Sequence, residues 1–263
     1  KTFVFKRPSG TSRGILTEKH AWFLTVIDKE NPQVSGIGEC SIIPGLSPDF
    51  ESFELYEAKL EQFCQDPEND DITGWPSIKF GWESALLDLK SGGKRIYFDN
   101  AFSRGETSLP INGLIWMGDE AFMQQQIEEK LAAGFTTIKM KIGAIDFETE
   151  LKLLRSIRDR YSKEEITLRV DANGAFGNEN ELDLADVLEK LDVLDRLDIH
   201  SIEQPIRQGN WEAMHKLCRK TPLPIALDEE LIGINGIKEK QRLLDTIQPQ
   251  YIILKPSLHG GIS

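Results

Sequence analysis

Residues 136–142 read Thr-Thr-Ile-Lys-Met-Lys-Ile, and their reading decides the fold. The β-branched residues and the strict alternation mark a strand. Strands of a parallel sheet that is covered on both faces read as unbroken apolar runs. Lys139 and Lys141 break that rule. Side chains two residues apart share a face, so the two lysines point together, while Ile138, Met140 and Ile142 take the other side. Two ammonium groups on one inner face repel each other and lose hydration, and both effects favour the neutral amine. The alternative is an edge strand with a solvated lysine face, a common protection of sheet edges.

Working outward from this strand, the same grammar repeats. Short apolar strands are expected at 109–115, 167–171, 199–203, 225–228 and 251–255. Helical periodicity fills the gaps at 120–133, 147–160, 181–191 and 211–220. Strands alternating with helices through short loops imply a parallel sheet with right-handed crossovers. No G-x-G-x-x-G fingerprint is present, so the expected fold is an α/β (β/α) TIM-type barrel, not a dinucleotide-binding sheet. Such a barrel closes with eight strands. The sequence is therefore expected to be truncated after about six, with its C-terminal strands missing.

The first part of the chain reads differently. Strands are expected at 2–6, 22–27 and 34–41, the last including a G-x-G-E turn at 36–39. Helices follow at 50–63 and 77–89, and Gly92-Gly93 stops the second. The expected domains are an N-terminal α+β capping domain, 1–108, and a (β/α) barrel catalytic domain, 109–263.

The chemistry lies at the strand ends. Asp171, Glu203 and Asp228 each close a predicted strand, at the end where barrel active sites are built. They are spaced by roughly 30 residues, the length of one βα unit. Taken singly, each could be a helix cap or turn former. Taken together, one per successive strand, they form an oxygen-only ligand set suited to Mg²⁺, with Mn²⁺ as the alternative. Lys255 ends the next strand and is expected to face Lys141 across the barrel mouth. A hard cation between two lysines suits proton abstraction next to a carboxylate. Asn173 and Arg169 share the face of Asp171 by parity. Arg169 reads equally well as a substrate contact or as a buried ion-pair partner. Of His20, His200, His215 and His259, only His259 falls near the proposed mouth.

Composition narrows the classes. The chain has 263 residues, 40% hydrophobic and 28% charged, an ordinary globular balance that argues against disorder. A net charge of −12 makes a poor nucleic-acid partner, because phosphate binding needs a basic face. The three cysteines, Cys40, Cys64 and Cys218, form no C-x-x-C, so neither a thiolate metal site nor a disulfide framework is expected. No apolar run reaches membrane-spanning length, and no signal peptide is visible. A cytoplasmic protein acting on a small-molecule carboxylate, without a nucleic-acid or membrane partner, is the expectation.

The ordered motifs K-M-K at 139–141, R-V-D-A-N at 169–173, I-E-Q-P at 202–205, A-L-D-E at 226–229 and L-K-P-S-x-x-G-G at 254–261 resemble the enolase superfamily. Lysines on both sides of the site resemble its muconate-lactonizing subgroup, and within that the o-succinylbenzoate synthase family. The resemblance covers nearly the whole chain. It implies a magnesium-dependent lyase of menaquinone biosynthesis that dehydrates 2-succinyl-6-hydroxy-2,4-cyclohexadiene-1-carboxylate. Lys141 would be the base, Lys139 would hold down its pKa, and Lys255 would stay charged beside the developing anion. Asp171, Glu203 and Asp228 would bind the metal, while Arg169, Asn173 and Ser257 would contact substrate. An N-acylamino-acid racemase or dipeptide epimerase would share this half-site. A non-catalytic metal-binding protein on the same fold would not need the paired lysines.

Overall fold

A computed structural model of the chain describes residues 1–11, 14–177 and 182–262, with only the backbone for 9–11. The described chain forms two compact units. One comprises 1–109 with 231–240 and 254–263, and the other 110–230 with 241–253. No helix among the described residues is long and apolar enough to cross a membrane.

The first unit opens with an antiparallel sheet of β1 (Thr2–Thr11), β2 (Gly14–Ile27) and β3 (Ser35–Ser41), in that order. Helices α1 (Phe53–Gln65) and α2 (Pro76–Lys90) follow. Ser52 caps α1 by accepting the Leu55 N–H, which starts this helix three residues later than periodicity alone indicates. Leu24, Cys40, Ile42, Tyr56, Leu60, Phe63 and Ile78 form the core, ringed by Trp22, Phe50, Phe53, Trp75 and Trp82.

The G-x-G-E segment expected as a turn lies inside β3. Its glycines serve close packing instead: a Cβ on Gly36 would fall 1.9 Å from the Ala85 carbonyl oxygen, and one on Gly38 1.7 Å from that of Gly81. Asp88 on α2 anchors the same contact. Its buried carboxylate accepts the Ile37 N–H at 2.9 Å, the Arg95 N–H at 2.6 Å and the Arg95 guanidinium.

The second unit is built on six parallel strands in sequential order: β4 (Gly113–Ile115), β5 (Thr137–Lys141), β6 (Thr167–Asp171), β7 (Ile199–Glu203), β8 (Ile225–Leu227) and β9 (Tyr251–Ile252). Connecting them are α3 (Glu120–Ala132), α4 (Phe147–Arg158), α5 (Leu184–Asp195), α6 (Trp211–Lys220), a 3-10 turn (Glu229–Leu231) and α7 (Ile237–Ile247), while α8 (Pro256–His259) follows β9. This is the strand order of a (β/α) barrel, with β4 and β9 at the edges of the described sheet. Ile138, Met140, Leu168, Val170, Ile202, Ile225 and Leu227 are all almost fully buried. Each such side chain contributes roughly 1.5–3 kcal/mol by leaving water.

In the first unit β1 and β2 extend beyond the expected 2–6 and 22–27 to Thr2–Thr11 and Gly14–Ile27, and three further elements differ from expectation. The strand expected at 109–115 is only three residues long, and Leu109 and Ile111 stay exposed. The helix expected at 181–191 runs Leu184–Asp195, because Asp183 caps it by accepting the Ala185 N–H; Glu181 lies outside the described residues. The strand expected at 251–255 ends at Ile252. Pro256 opens α8, and the residue before a proline is driven out of helical geometry, which leaves Lys255 as its cap at φ −126°.

Candidate active site

Within the second unit, register brings the predicted residues level. Lys141 pairs with Asp171, and Asp171 with Glu203, while Lys139 pairs with Arg169 one step earlier. Ile138, Met140 and Ile142 are buried on the opposite face, as the alternation requires. The turns after the strands keep the carboxylates level. Asn173 and Gln204 both adopt left-handed backbone, at φ 45° and 41°. Non-glycine residues held there carry a local conformational cost, and such positions cluster at functional sites. Gln204 repays it by binding the next loop: its Oε1 accepts the Asp228 N–H at 3.1 Å and the Glu230 N–H at 3.4 Å.

Asp171, Glu203 and Asp228 are nearly inaccessible to solvent, as are the neighbouring Glu229 and Glu230. Lys139 Nζ lies 3.0 Å from Asp171 Oδ2 and 2.5 Å from Glu203 Oε2. Lys141 Nζ lies 3.2 Å from Asp171 Oδ2 and donates to Asn173 Oδ1 at 2.7 Å. It also stands over the Trp116 ring, 5.8 Å from the centroid. Lys139 departs from the expectation of a neutral amine. Burial works against its charge, but Asp171 and Glu203 outweigh burial and hold its pKa above the usual lysine value. Asp171 is likewise held below the usual carboxylate range: burial opposes this, and the two lysines overcome it.

Negative charge remains in excess. Burial, then repulsion from Asp171 and Asp228, pushes Glu203 up to about 7 despite its bond to Lys139. Burial and the charge of Asp228 raise Glu229 as well. A divalent cation would relieve this repulsion, and an all-oxygen donor set suits Mg²⁺. The donor chemistry therefore fits a hard metal. Among the described residues no three Asp, Glu, His or Cys side chains are grouped as a ready metal cage; Asp171 and Glu203 are turned towards Lys139 instead.

The other predicted residues are placed as follows. Arg169 makes no ion pair among the described residues, and its Nε is buried without a hydrogen-bond partner. Together with burial, its charge lowers the pKa of His200 on the adjacent strand. Lys255 and Ser257 belong to the first unit, where both are half-buried. The Lys255 N–H donates to His259 Nδ1 at 3.2 Å. Three residues escape sequence reasoning. Trp116 follows β4, and its N–H and carbonyl are both bonded by the buried Gln126 side chain at 3.0 Å. Glu229 accepts from Asn173 Nδ2 at 3.1 Å. The acidic run 228–230, directly after an apolar strand, was a legible signal for Glu229, whereas nothing in sequence marks Trp116 or Gln126.

The chain belongs to the enolase superfamily, in its muconate-lactonizing subgroup; the family model "Enolase C-terminal domain-like" matches residues 122–263. It is similar to the o-succinylbenzoate synthase of Desulfotalea psychrophila, with 45% identity over 98% of this chain and 77% of that protein. Among solved structures it is similar to MenC from the same organism, at 39% identity and a TM-score of 0.75, over 100% of this chain and 79% of that one. The o-succinylbenzoate synthase of Thermosynechococcus elongatus, complexed with Mg in its active site, shares the fold at 24% identity and a TM-score of 0.73, over 98% of this chain and 75% of that one.

Proposed function

We infer that the chain is an o-succinylbenzoate synthase, a hydro-lyase that removes water from 2-succinyl-6-hydroxy-2,4-cyclohexadiene-1-carboxylate. The similarity to the Desulfotalea synthase, 45% identity over 98% of this chain, carries this reading. The site supports it with an amine poised among buried carboxylates. Lys141, as the amine, takes the proton from the ring carbon that bears the carboxylate. The electron pair left behind spreads onto the carboxylate oxygens. As it returns, the ring C–O bond breaks, and Lys141 gives its proton to the departing hydroxyl, so that water leaves from the same face. The ring becomes aromatic, which drives the step. Asp171, Glu203 and Asp228 would hold Mg²⁺, which supplies stabilisation of the negative charge on the substrate carboxylate. Lys139 keeps its positive charge between two of these ligands. Lys255 would add a fixed charge, with Arg169, Asn173 and Ser257 as substrate contacts, roles that rest on the family resemblance.

The same reading carries a division into a capping domain, 1–108, and a catalytic barrel domain, 109–263, and a cytoplasmic location. The test is an ultraviolet assay of the cyclohexadiene substrate with and without chelator. Loss of diene absorbance that stops on chelation and returns with Mg²⁺ is expected. Racemisation of N-succinylamino acids without any dehydration would transfer the chain to the racemase reading.

A further inference from the structure

Lys141 is held by a short chain of side chains that the reaction itself does not consume. Its Nζ donates to Asn173 Oδ1 at 2.7 Å, and Asn173 Nδ2 donates to Glu229 Oε1 at 3.1 Å. The two bonds depend on each other. An amide presents its oxygen to the lysine only when its nitrogen points the other way, and a carboxylate acceptor selects that orientation. The Asn173 backbone is fixed as well. Its N–H donates to Asp171 Oδ1 at 3.1 Å, and the next N–H, of Gly174, donates to the Gln204 carbonyl at 2.7 Å. Glu229 is 5% exposed, so little water competes for its oxygens. The Asn173 amide thus bridges Lys141 and Glu229.

We propose that Glu229 is a positioning residue: it fixes the Asn173 amide and, through it, the nitrogen of Lys141. The inference rests on Lys141 being the base of the proposed reaction. An amide oxygen suits this task because it accepts an N–H from either form of lysine. It can therefore hold the nitrogen in place while the proton arrives and leaves. Misplacing a reacting group by about 1 Å can cost on the order of 100-fold in rate.

The test compares Glu229→Leu, Glu229→Gln and Asn173→Ala in the full chain with Mg²⁺, following kcat, KM, Mg²⁺ affinity and the ¹⁵Nζ resonance of Lys141. Glu229→Leu and Asn173→Ala are expected to lower kcat by about 10–100-fold. In Glu229→Leu, KM and Mg²⁺ affinity should hold, while the Lys141 resonance shifts or broadens in both variants. Glu229→Gln keeps an acceptor oxygen, so most of kcat and the parental resonance should return. Parental kcat and resonance in Glu229→Leu overturn the proposal. So does a Gln variant as impaired as the Leu variant, which would mean that the charge matters, or a loss of Mg²⁺ affinity, which would make Glu229 part of the metal site. If the parent does not dehydrate the substrate, the functional reading fails, and the resonance alone decides the positioning role.

Discussion

Lys139 and Lys141 sit two residues apart on β5 and share Asp171, but their other partners differ. Lys139 is clasped by Asp171 and Glu203, which keep it charged. Lys141 meets Asn173, the edge of Asp171 and the face of Trp116. We predict that Lys141→Ala lowers kcat for dehydration by at least about 1,000-fold, a magnitude consistent with loss of general acid–base catalysis. Mg²⁺ affinity, measured by equilibrium titration, should stay close to the parent. Wild-type-like turnover in that variant would remove Lys141 from the mechanism.

At the scale of elements, the packing of β3 on α2 depends on missing side chains. Gly38→Ala would drive a methyl into the backbone of Gly81, which cannot swing aside as a flexible side chain would. Such overpacking costs about 1–3 kcal/mol, read as a lower urea midpoint with unchanged slope. Asp88 ties the same two elements together through three hydrogen-bond donors. Burial opposes its ionisation, but the Ile37 and Arg95 N–H groups and the Arg95 guanidinium outweigh it and hold its pKa below the usual value. A carboxylate depressed in this way stabilises the fold at every pH above its unfolded value of about 4. That contribution is lost as pH falls through the lower, folded value. Asp88→Asn should cost about 1–3 kcal/mol at neutral pH. The gap between parent and variant should close below about pH 4, which thermal melts at a series of pH values will show.

At the scale of the whole molecule, each unit encloses its own core. The long-range consequence of the site is a thermodynamic one. Burying acids beside one another destabilises the metal-free protein, and Glu203, pushed up to about 7 first by burial and then by the charges of Asp171 and Asp228, records that cost. A cation that binds the folded state alone adds about 2.7 kcal/mol at 100 times its Kd. Mg²⁺ should therefore raise Tm, and calorimetry should show that rise shrinking in Asp171→Asn and Glu203→Gln. An equal rise in both variants would dismiss the ligand assignment.

Much of this protein was legible in its sequence. The alternation of Ile138, Met140 and Ile142 against Lys139 and Lys141 marked the strand and its faces, because side-chain direction along a strand has a fixed period of two. Asp171 and Glu203 were legible as carboxylates at the ends of successive strands, because a charged group closing an apolar strand stands out at each repeat. Sequence pattern could not locate the end of β9 at Ile252, nor tell a turn from close packing, as at Gly36 and Gly38. Nor could it assign the partners of the two lysines. Those partners depend on the left-handed backbone of Asn173 and Gln204 and on the approach of neighbouring strand ends to within hydrogen-bond distance. Periodicity determines which face a side chain takes, but the Asn173–Glu229 pairing and the charge held on Lys139 arise only when separate strands come together in three dimensions.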